Sequence, residues 1–339
     1  MLFRNVTIES VGYELPPHRV TTACLEDQIA ETMARLNIRP GLLEALTGIR
    51  ERRFWDSGTM PSEAATRAAH KAIELAGIDP QEIGCLINTS VSKDYIEPSV
   101  ACMIHGNLKL SPRCINYDIG NACLGFLNGM CSIALMIEAG LIKYGLVVNG
   151  EQAREIVEAT IKRLQATDVS KQTFMDNLAT LTLGSGAVAM VLAHREFSRT
   201  GHRLNGAVTL AATQYNKLCV AQPNYMKTDP SKLLVAGLKL FQETWQLAGE
   251  TFEGWRDEDL ALYAPHQVSS RNTFAVAETV GLTPSKVQLT FPTHGNNGPV
   301  GLPLSLAIAD EAGRIKPGDH VGLLGIGSGL NCSIMSVTW

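Results

Sequence analysis

The stretch "YDIGNACLGFLNGMCSIALMIEAG" (117–140) places Cys123 between a short apolar strand and a helix that is apolar on nearly every face. A strand that hands over directly to a helix is the unit of layered α/β architecture. The flanking sequence repeats that unit. "PSEAATRAAHKAIELAG" (61–77) is an Ala-rich amphipathic helix with Ser62 as its expected N-cap, and it leads into the strand "GCLINTSV" (84–91). The strands "GLVVNGEQ" (145–152) and "GSGAVAMVLA" (184–193) follow Cys123.

The second part of the chain replays this order. It has a helix at "KLLVAGLKLFQETWQLAG" (232–249), a strand at "LALYAPHQ" (260–267) and a helix at "SSRNTFAVAETVG" (269–281), ending in "GDHVGLLGIGSGLNCSIMSV" (318–337). Each part closes with Gly-Ser-Gly and an apolar strand, at Gly184-Ser185-Gly186 and Gly327-Ser328-Gly329. Gly-Ser-Gly is ordinary turn chemistry, so the hint of duplication rests on the matched order of elements. A chain of 339 residues exceeds the ~250–300 at which one core stops growing, which also favours two halves, 1–195 and 205–339. The polar, amphipathic segment 154–178 interrupts the first half. An insertion of that length is more often functional or interfacial than idle, the alternative being a solvated surface helix.

Composition narrows the function. Charged residues are 18% and the net charge is −4, so no electrostatic footprint for nucleic acid exists. No run reaches the ~18 apolar residues of a membrane span, and the N-terminus lacks a signal-type apolar core, so a cytoplasmic protein is expected. The eight cysteines (24, 85, 102, 114, 123, 131, 219 and 332) form no Cys-x-x-Cys pair, and most are expected to be buried thiols.

Cys123 stands out because the first turn of a helix presents unpaired N–H groups and the positive end of the macrodipole, which favour thiolate. Taken alone, a packing cysteine is the better reading. Two distant segments alter the balance: "YAPHQVSSRN" (263–272), with His266 between a strand and a helix, and the polar loop "FPTHGNNGPVGLPLS" (291–305). Individually, His266 reads as a satisfied buried histidine, and Asn296 and Asn297 read as turn residues. Together, Cys, His and Asn at strand-to-helix junctions form an acyl-transfer set.

"DIGNACLGF", "PHQ" before a helix, "HGNNGP", "GIGSGLNCS" and "TGIRERR" (47–53) together resemble the ketoacyl synthase III branch of the thiolase superfamily, over residues 45 to 337. The resemblance implies a duplicated five-layer αβαβα fold, a homodimer and a Cys-His-Asn triad of Cys123, His266 and Asn296. His294 and Asn297 match no catalytic position. It also implies an oxyanion hole from the backbone of Cys123 and of the loop at Gly327 and Ser328, each donor typically worth ~2.7–4 kcal/mol. Leu42 and Leu46 replace the Trp and Arg with which housekeeping members clasp the adenine end of CoA.

A second departure is "SVSKDYIEPSVAC" (90–102), which carries Glu97. Decarboxylating condensation needs no base, whereas joining two ordinary acyl thioesters requires removal of an α-proton, best done by a desolvated carboxylate. Tyr95, Ile96 and Pro98 are expected to supply that pocket; the commoner fate of a loop Glu is exposure. With "DIGNACLGFLNGM" and "THGNNGPVG", this segment is most similar to the branch that condenses two long-chain fatty acyl-CoAs head to head in olefin biosynthesis, where the glutamate reaches the site from the partner subunit. That branch implies a non-decarboxylative Claisen condensation giving a 2-alkyl-3-oxoalkanoate, downstream hydrocarbon-forming enzymes as partners, and no metal or redox cofactor. The alternatives are ketoacyl-ACP synthase III, 3-hydroxy-3-methylglutaryl-CoA synthase-like condensation, and a non-catalytic subunit that only shapes an acyl tunnel.

Overall fold

The computed structural model describes residues 1–223 and 225–339. Its strands are β1 (Val6–Glu14), β2 (His18–Thr21), β3 (Glu51–Phe54), β4 (Ile83–Asn88), β5 (Ile115–Asp118), β6 (Tyr144–Glu151), β7 (Gly186–His194), β8 (His202–Ala211), β9 (Cys219–Gln222), β10 (Tyr225–Thr228), β11 (Leu262–Pro265), β12 (His320–Gly327) and β13 (Asn331–Thr338). Nine of them form one sheet in the order β11-β12-β13-β8-β1-β7-β6-β4-β5.

That sheet is two equivalent sets meeting at a short seam. From β1, the neighbours β7 and β6 pair antiparallel, and β4 and β5 pair parallel. From β8, β13 and β12 pair antiparallel and β11 pairs parallel, while Val287 bridges Tyr263 of β11 in parallel at the fifth place. The seam consists of Thr7 opposite Arg203 and Ile8 opposite His202. The repeated element order read from the sequence is therefore a repeated strand topology.

Alternate residues of a strand face opposite sides, and the two faces enter different cores. Ile87, Val147 and Met190 share a core with Leu323 and Met335 of the other set, and between them lie the helices Gly125–Glu138 and Gly301–Glu311. The intervening residues Leu86, Val148 and Ala189 pack on helices Pro61–Ala76 and Val100–Leu108. Leu324 and Ile334 pack on Pro230–Thr251 and Ser270–Val280. The result is five layers, αβαβα. A central helix touched from two sides has no polar face to spare, which accounts for the composition of 124–137.

Segment 154–178 forms two helices, Arg154–Leu164 and Lys171–Asn177. One face of them is buried, with Val157, Ile161, Leu164 and Phe174 packing against Leu25, Ile29, Met33 and Leu43 of the N-terminal helices in a fourth core, while Glu155, Glu158 and Lys162 stay exposed on the other.

Some local readings change. Ser62 is not the N-cap; Met60 holds that position, Pro61 is the first helical residue, and the Ser62 N–H donates to Asp94 Oδ1 at 3.0 Å. Proline favours the first helical position, so the helix starts ahead of the serine and the cap lies two residues before it. The cysteines are less buried than expected: Cys85, Cys114 and Cys332 are buried, whereas Cys24 and Cys102 are exposed. Among the described residues no helix is long and apolar enough to cross a membrane, and no cluster of three His, Cys, Asp or Glu could hold a metal ion.

Candidate active site

Cys123 lies in a tight turn, Ala122–Leu124, between β5 and the central helix Gly125–Glu138. Ala122 adopts φ +45°, a left-handed conformation that costs a residue with a Cβ roughly 1–2 kcal/mol. The surroundings enforce that turn. A Cβ on Gly125 would come within 2.8 Å of the Thr89 carbonyl oxygen, and one on Gly325 within 2.5 Å of Leu124 Cδ2. Asn121 completes the brace: its Nδ2 donates to Asn128 Oδ1 at 2.7 Å, and its Oδ1 accepts from Asn331 Nδ2 at 3.3 Å.

His266 follows β11, and its backbone N–H donates to the Leu324 carbonyl at 2.8 Å. Asn296 bridges Leu183, with its N–H donating to the Thr182 carbonyl at 2.9 Å and its carbonyl accepting from the Gly184 N–H at 2.9 Å. Its Oδ1 accepts from the Gly298 N–H at 3.0 Å. A backbone N–H can only donate, so that bond fixes the carboxamide orientation and leaves Nδ2 as the free donor. The short turn Gly298–Val300 then joins the three residues. It packs against the Cys123 turn, and the Gly298 backbone contacts the His266 ring.

The two Gly-Ser-Gly segments are exchanged braces, a role the sequence reading missed. Gly184-Ser185-Gly186 supports the Asn296 loop: a Cβ on Gly184 would meet the His294 carbonyl oxygen at 2.1 Å, and Asn297 Nδ2 donates to the Ser185 carbonyl at 2.9 Å. Gly327 supports the Cys123 turn, where a Cβ would stand 3.2 Å from the Leu124 N and 3.4 Å from the Asn121 carbonyl oxygen. Each set of strands thus holds the loop of the other. Gly327 is also where the second backbone donor of an oxyanion hole is expected. His294 Nδ1 lies 3.2 Å from the Thr290 carbonyl of its own turn and 2.9 Å from Thr293 Oγ1, and Asn297 Nδ2 donates to the Ser185 carbonyl while its Oδ1 is buried without a partner.

Electrostatics depart from the dipole argument. Part of the Cys123 surface is reachable, yet protein packs around it closely enough that burial pushes the thiol up to about 12, with Cys219 and Glu151 adding to the shift. A helix terminus contributes up to ~2 kcal/mol, while a rise of three pKa units from 9 corresponds to about 4. Desolvation wins. Burial likewise takes His266 down to about 4, with the Gly298 backbone pulling partly back, and its Nδ1 is buried without a partner. Burial thus favours the uncharged form of both the Cys123 thiol and the His266 imidazole.

Arg52 was also missed by sequence reasoning. It is 1% exposed, and burial lowers its pKa to about 10. Its Nη1 donates to Thr22 Oγ1 and its Nη2 to the Leu181 carbonyl, both at 2.9 Å, behind the loop that Asn296 bridges. Leu46 is exposed on the helix Leu42–Thr47, which leaves no guanidinium there.

Glu97 corrects one expectation. Tyr95, Ile96, Glu97 and Pro98 are all exposed, so the loop does not build a desolvated pocket around its own glutamate. Alternating sequence character reports which residues are apolar, and here the apolar residues point away from the chain. The buried carboxylate nearby is Glu151, whose oxygens accept from the Val91 N–H at 2.7 Å and from the Ser92 N–H and hydroxyl at 3.1 and 2.8 Å. Both of its oxygens are occupied, which disfavours it as a base.

The comparisons agree with this geometry. Residues 117–210 match the family described as 3-oxoacyl-[acyl-carrier-protein (ACP)] synthase III, and residues 251–339 match the C-terminal part of that family. An acyl-CoA:acyl-CoA alkyltransferase of Xanthomonas campestris is 45% identical over 339 residues, covering 100% of both chains. One from Shewanella oneidensis is 41% identical, again with 100% coverage of both. Among solved structures, cerulenin-bound Xanthomonas OleA superposes with a TM-score of 0.98 at 45% identity, covering 100% of this chain and 98% of that one. A Xanthomonas OleA with bound lauric acid and lauroyl-CoA gives 0.98 at 44%, with 100% coverage of both. Likeness of this extent, over every element that carries the site, shows that the chain belongs to the acyl-CoA:acyl-CoA alkyltransferases of the ketoacyl synthase III-like thiolase superfamily.

Proposed function

We propose that the protein joins two long-chain fatty acyl-CoAs by a non-decarboxylative Claisen condensation, through an acyl-Cys123 intermediate, as a step of olefin biosynthesis. The observation that carries this reading is the convergence of the Cys123 turn, His266 and Asn296 on the Gly298 turn, in a chain whose full-length relatives are acyl-CoA:acyl-CoA alkyltransferases.

In the first step Cys123 Sγ attacks the thioester carbonyl of one acyl-CoA, the C–S bond to CoA breaks, and the thiol proton leaves with the CoA thiol. No net charge is created, which suits a neutral Cys123 and a neutral His266 as the relay. In the second step the Glu97 carboxylate takes an α-proton from the second acyl-CoA. The resulting carbanion attacks the acyl-Cys123 carbonyl, a carbon–carbon bond forms, the bond to Sγ breaks, and Cys123 departs as thiolate and takes up one proton, the one that Glu97 removed, which leaves both groups as they began. Asn296 Nδ2 and His266 donate to a thioester oxygen, and the backbone N–H groups of Cys123 and the Gly327-Ser328 loop hold the tetrahedral oxyanion. Water then releases CoA to give a 2-alkyl-3-oxoalkanoate, the substrate class for later hydrocarbon-forming enzymes. Each step is thiol, carbonyl and proton chemistry.

A homodimer completes the site in this reading. Glu97 and Ile96 stand exposed on a loop, and β5, which leads to Cys123, is an edge strand with Ile115 exposed. Unpaired edges and exposed apolar side chains are what a second chain covers. A partner would both desolvate Glu97 and present it to the neighbouring Cys123.

The test is incubation of purified protein with myristoyl-CoA alone. Free CoA together with a 3-keto acid, or the ketone left by its decarboxylation, is the expected outcome. Condensation only with a malonyl thioester, releasing CO₂, would assign a decarboxylating synthase instead.

A further inference from the structure

The arm that carries Glu97, residues 89–99 between β4 and the helix Val100–Leu108, is held by carboxylates along its length, while its tip, residues 95–98, makes no hydrogen bond or ion pair among the described residues. At its start Glu151 accepts from Val91 and Ser92, and Ser92 Oγ accepts in turn from the Gln152 N–H at 3.1 Å. In the middle Asp94 accepts from the Ser62 N–H at 3.0 Å. At its end Asp118 accepts from the Ala101 N–H at 2.8 Å, the Val100 N–H at 3.2 Å and Asn88 Nδ2 at 3.1 Å, and it pairs with Lys93 of the arm. The four tip residues, 95–98, are exposed.

Asp118 occupies a special place among these anchors. It is the last residue of β5, so the backbone that leads to Cys123 also grips both flanks of the Glu97 tip, through Lys93 on one side and the first turn of the following helix on the other. Burial pushes the Asp118 carboxyl up, and the Lys93, Ala101 and Asn88 donors more than undo it, leaving it below the usual range. It is an ionised clamp, since a carboxylate that accepts from several N–H groups is held in its charged form.

We infer that Asp118, seconded by Glu151, is a positioning residue for the carbon–carbon bond-forming step, fixing the arm so that Glu97 is presented in one geometry. The inference rests on Glu97 being the base. It follows that the two half-reactions respond differently, because transfer of the first acyl group to Cys123 does not use Glu97. Misplacing a catalytic group by about 1 Å can cost on the order of 100-fold.

The experiment compares Asp118→Asn, Lys93→Met, Glu97→Gln and the double variant Asp118→Asn/Glu97→Gln with myristoyl-CoA. A burst of about one CoA per subunit and the acyl-Cys123 mass report the first step, and 3-keto product reports the second. The expected result is a normal burst with product formation down on the order of 100-fold in Asp118→Asn, a smaller loss in Lys93→Met, and a double variant no worse than Glu97→Gln. Normal product formation in Asp118→Asn overturns the inference. So does equal loss of burst and product in a variant with unchanged thermal unfolding, or an additive double variant. Should Asp118→Asn fail to fold, Lys93→Met decides, because it removes the arm's side of the same pair from a half-exposed position. Full turnover by Glu97→Gln alone would instead strike at the base assignment, and this inference would fall with it.

Discussion

Alkylation of Cys123 as a function of pH discriminates a neutral resting site from an activated thiolate. With the thiol at about 12 and His266 at about 4, transferring the proton between them costs on the order of 10 kcal/mol before their mutual attraction is counted. A contact ion pair recovers about 4 kcal/mol at an effective dielectric of 20, and a helix terminus up to about 2. The balance favours the neutral pair. At pH 7.5 a thiol at about 12 is thiolate in roughly one molecule in 30,000, against about one in ten for a free cysteine at 8.5. The more basic thiolate is intrinsically more nucleophilic by roughly 30-fold, so Cys123 is predicted to react with iodoacetamide on the order of 100-fold more slowly than a free cysteine. Its rate should climb tenfold per pH unit from 7 to 10. Peptide mass spectrometry must follow Cys123 itself, because Cys24 and Cys102 are exposed and react first. A plateau in Cys123 alkylation below pH 8 would refute the desolvation argument and restore a thiolate held by the helix start.

Three further outcomes are expected. Cys123→Ser abolishes condensation, and intact-protein mass after acyl-CoA treatment shows no stable thioester; an adduct on another cysteine would displace Cys123 as acceptor. Below pH 6.5 the unfolded chain binds a proton that native His266, at about 4, refuses, so its share of stability, about 3 kcal/mol, is lost as pH falls from 6.5 to 4. Urea unfolding at pH 7 and pH 5 measures that slope, which His266→Gln should flatten. Gly184→Ala pushes a Cβ into the His294 carbonyl oxygen and should cost ~1–3 kcal/mol, while Gly301→Ala, which meets nothing within 4 Å, should not destabilise; equal midpoints for the two would deny the brace.

Strand and helix order were legible because apolar periodicity is local, and the elements at 84–91, 145–152 and 232–249 reappear with shifted ends as Ile83–Asn88, Tyr144–Glu151 and Pro230–Thr251. Cys123, His266 and Asn296 were legible as residue types at strand-to-helix junctions. Three features had no local signal. Ala122 carries the left-handed turn without a glycine to announce it, in a turn whose next residues, Leu124 and Gly125, pack closely on Gly325 and Thr89. The crossed support by the two Gly-Ser-Gly segments depends on strand topology, so the repeat was visible and its use was not. Desolvation of Cys123 depends on everything packed around it, and a dipole counted from the helix start alone pointed the wrong way. Glu97 shows the same limit, since apolar neighbours in sequence predicted a pocket that a single chain does not build.

The central claim is that one chain's Glu97 completes carbon–carbon bond formation at another chain's Cys123, and a mixed dimer tests it most directly. Chains carrying Cys123→Ala and Glu97→Ala, each inactive alone, are co-expressed with different tags and purified in tandem. Across the interface, the intact Cys123 of one chain meets the intact Glu97 of the other, so one of two sites is rebuilt, and product from myristoyl-CoA should approach half the wild-type rate per dimer. Activity no higher than that of either parent would contradict the account and return Glu97 to its own subunit.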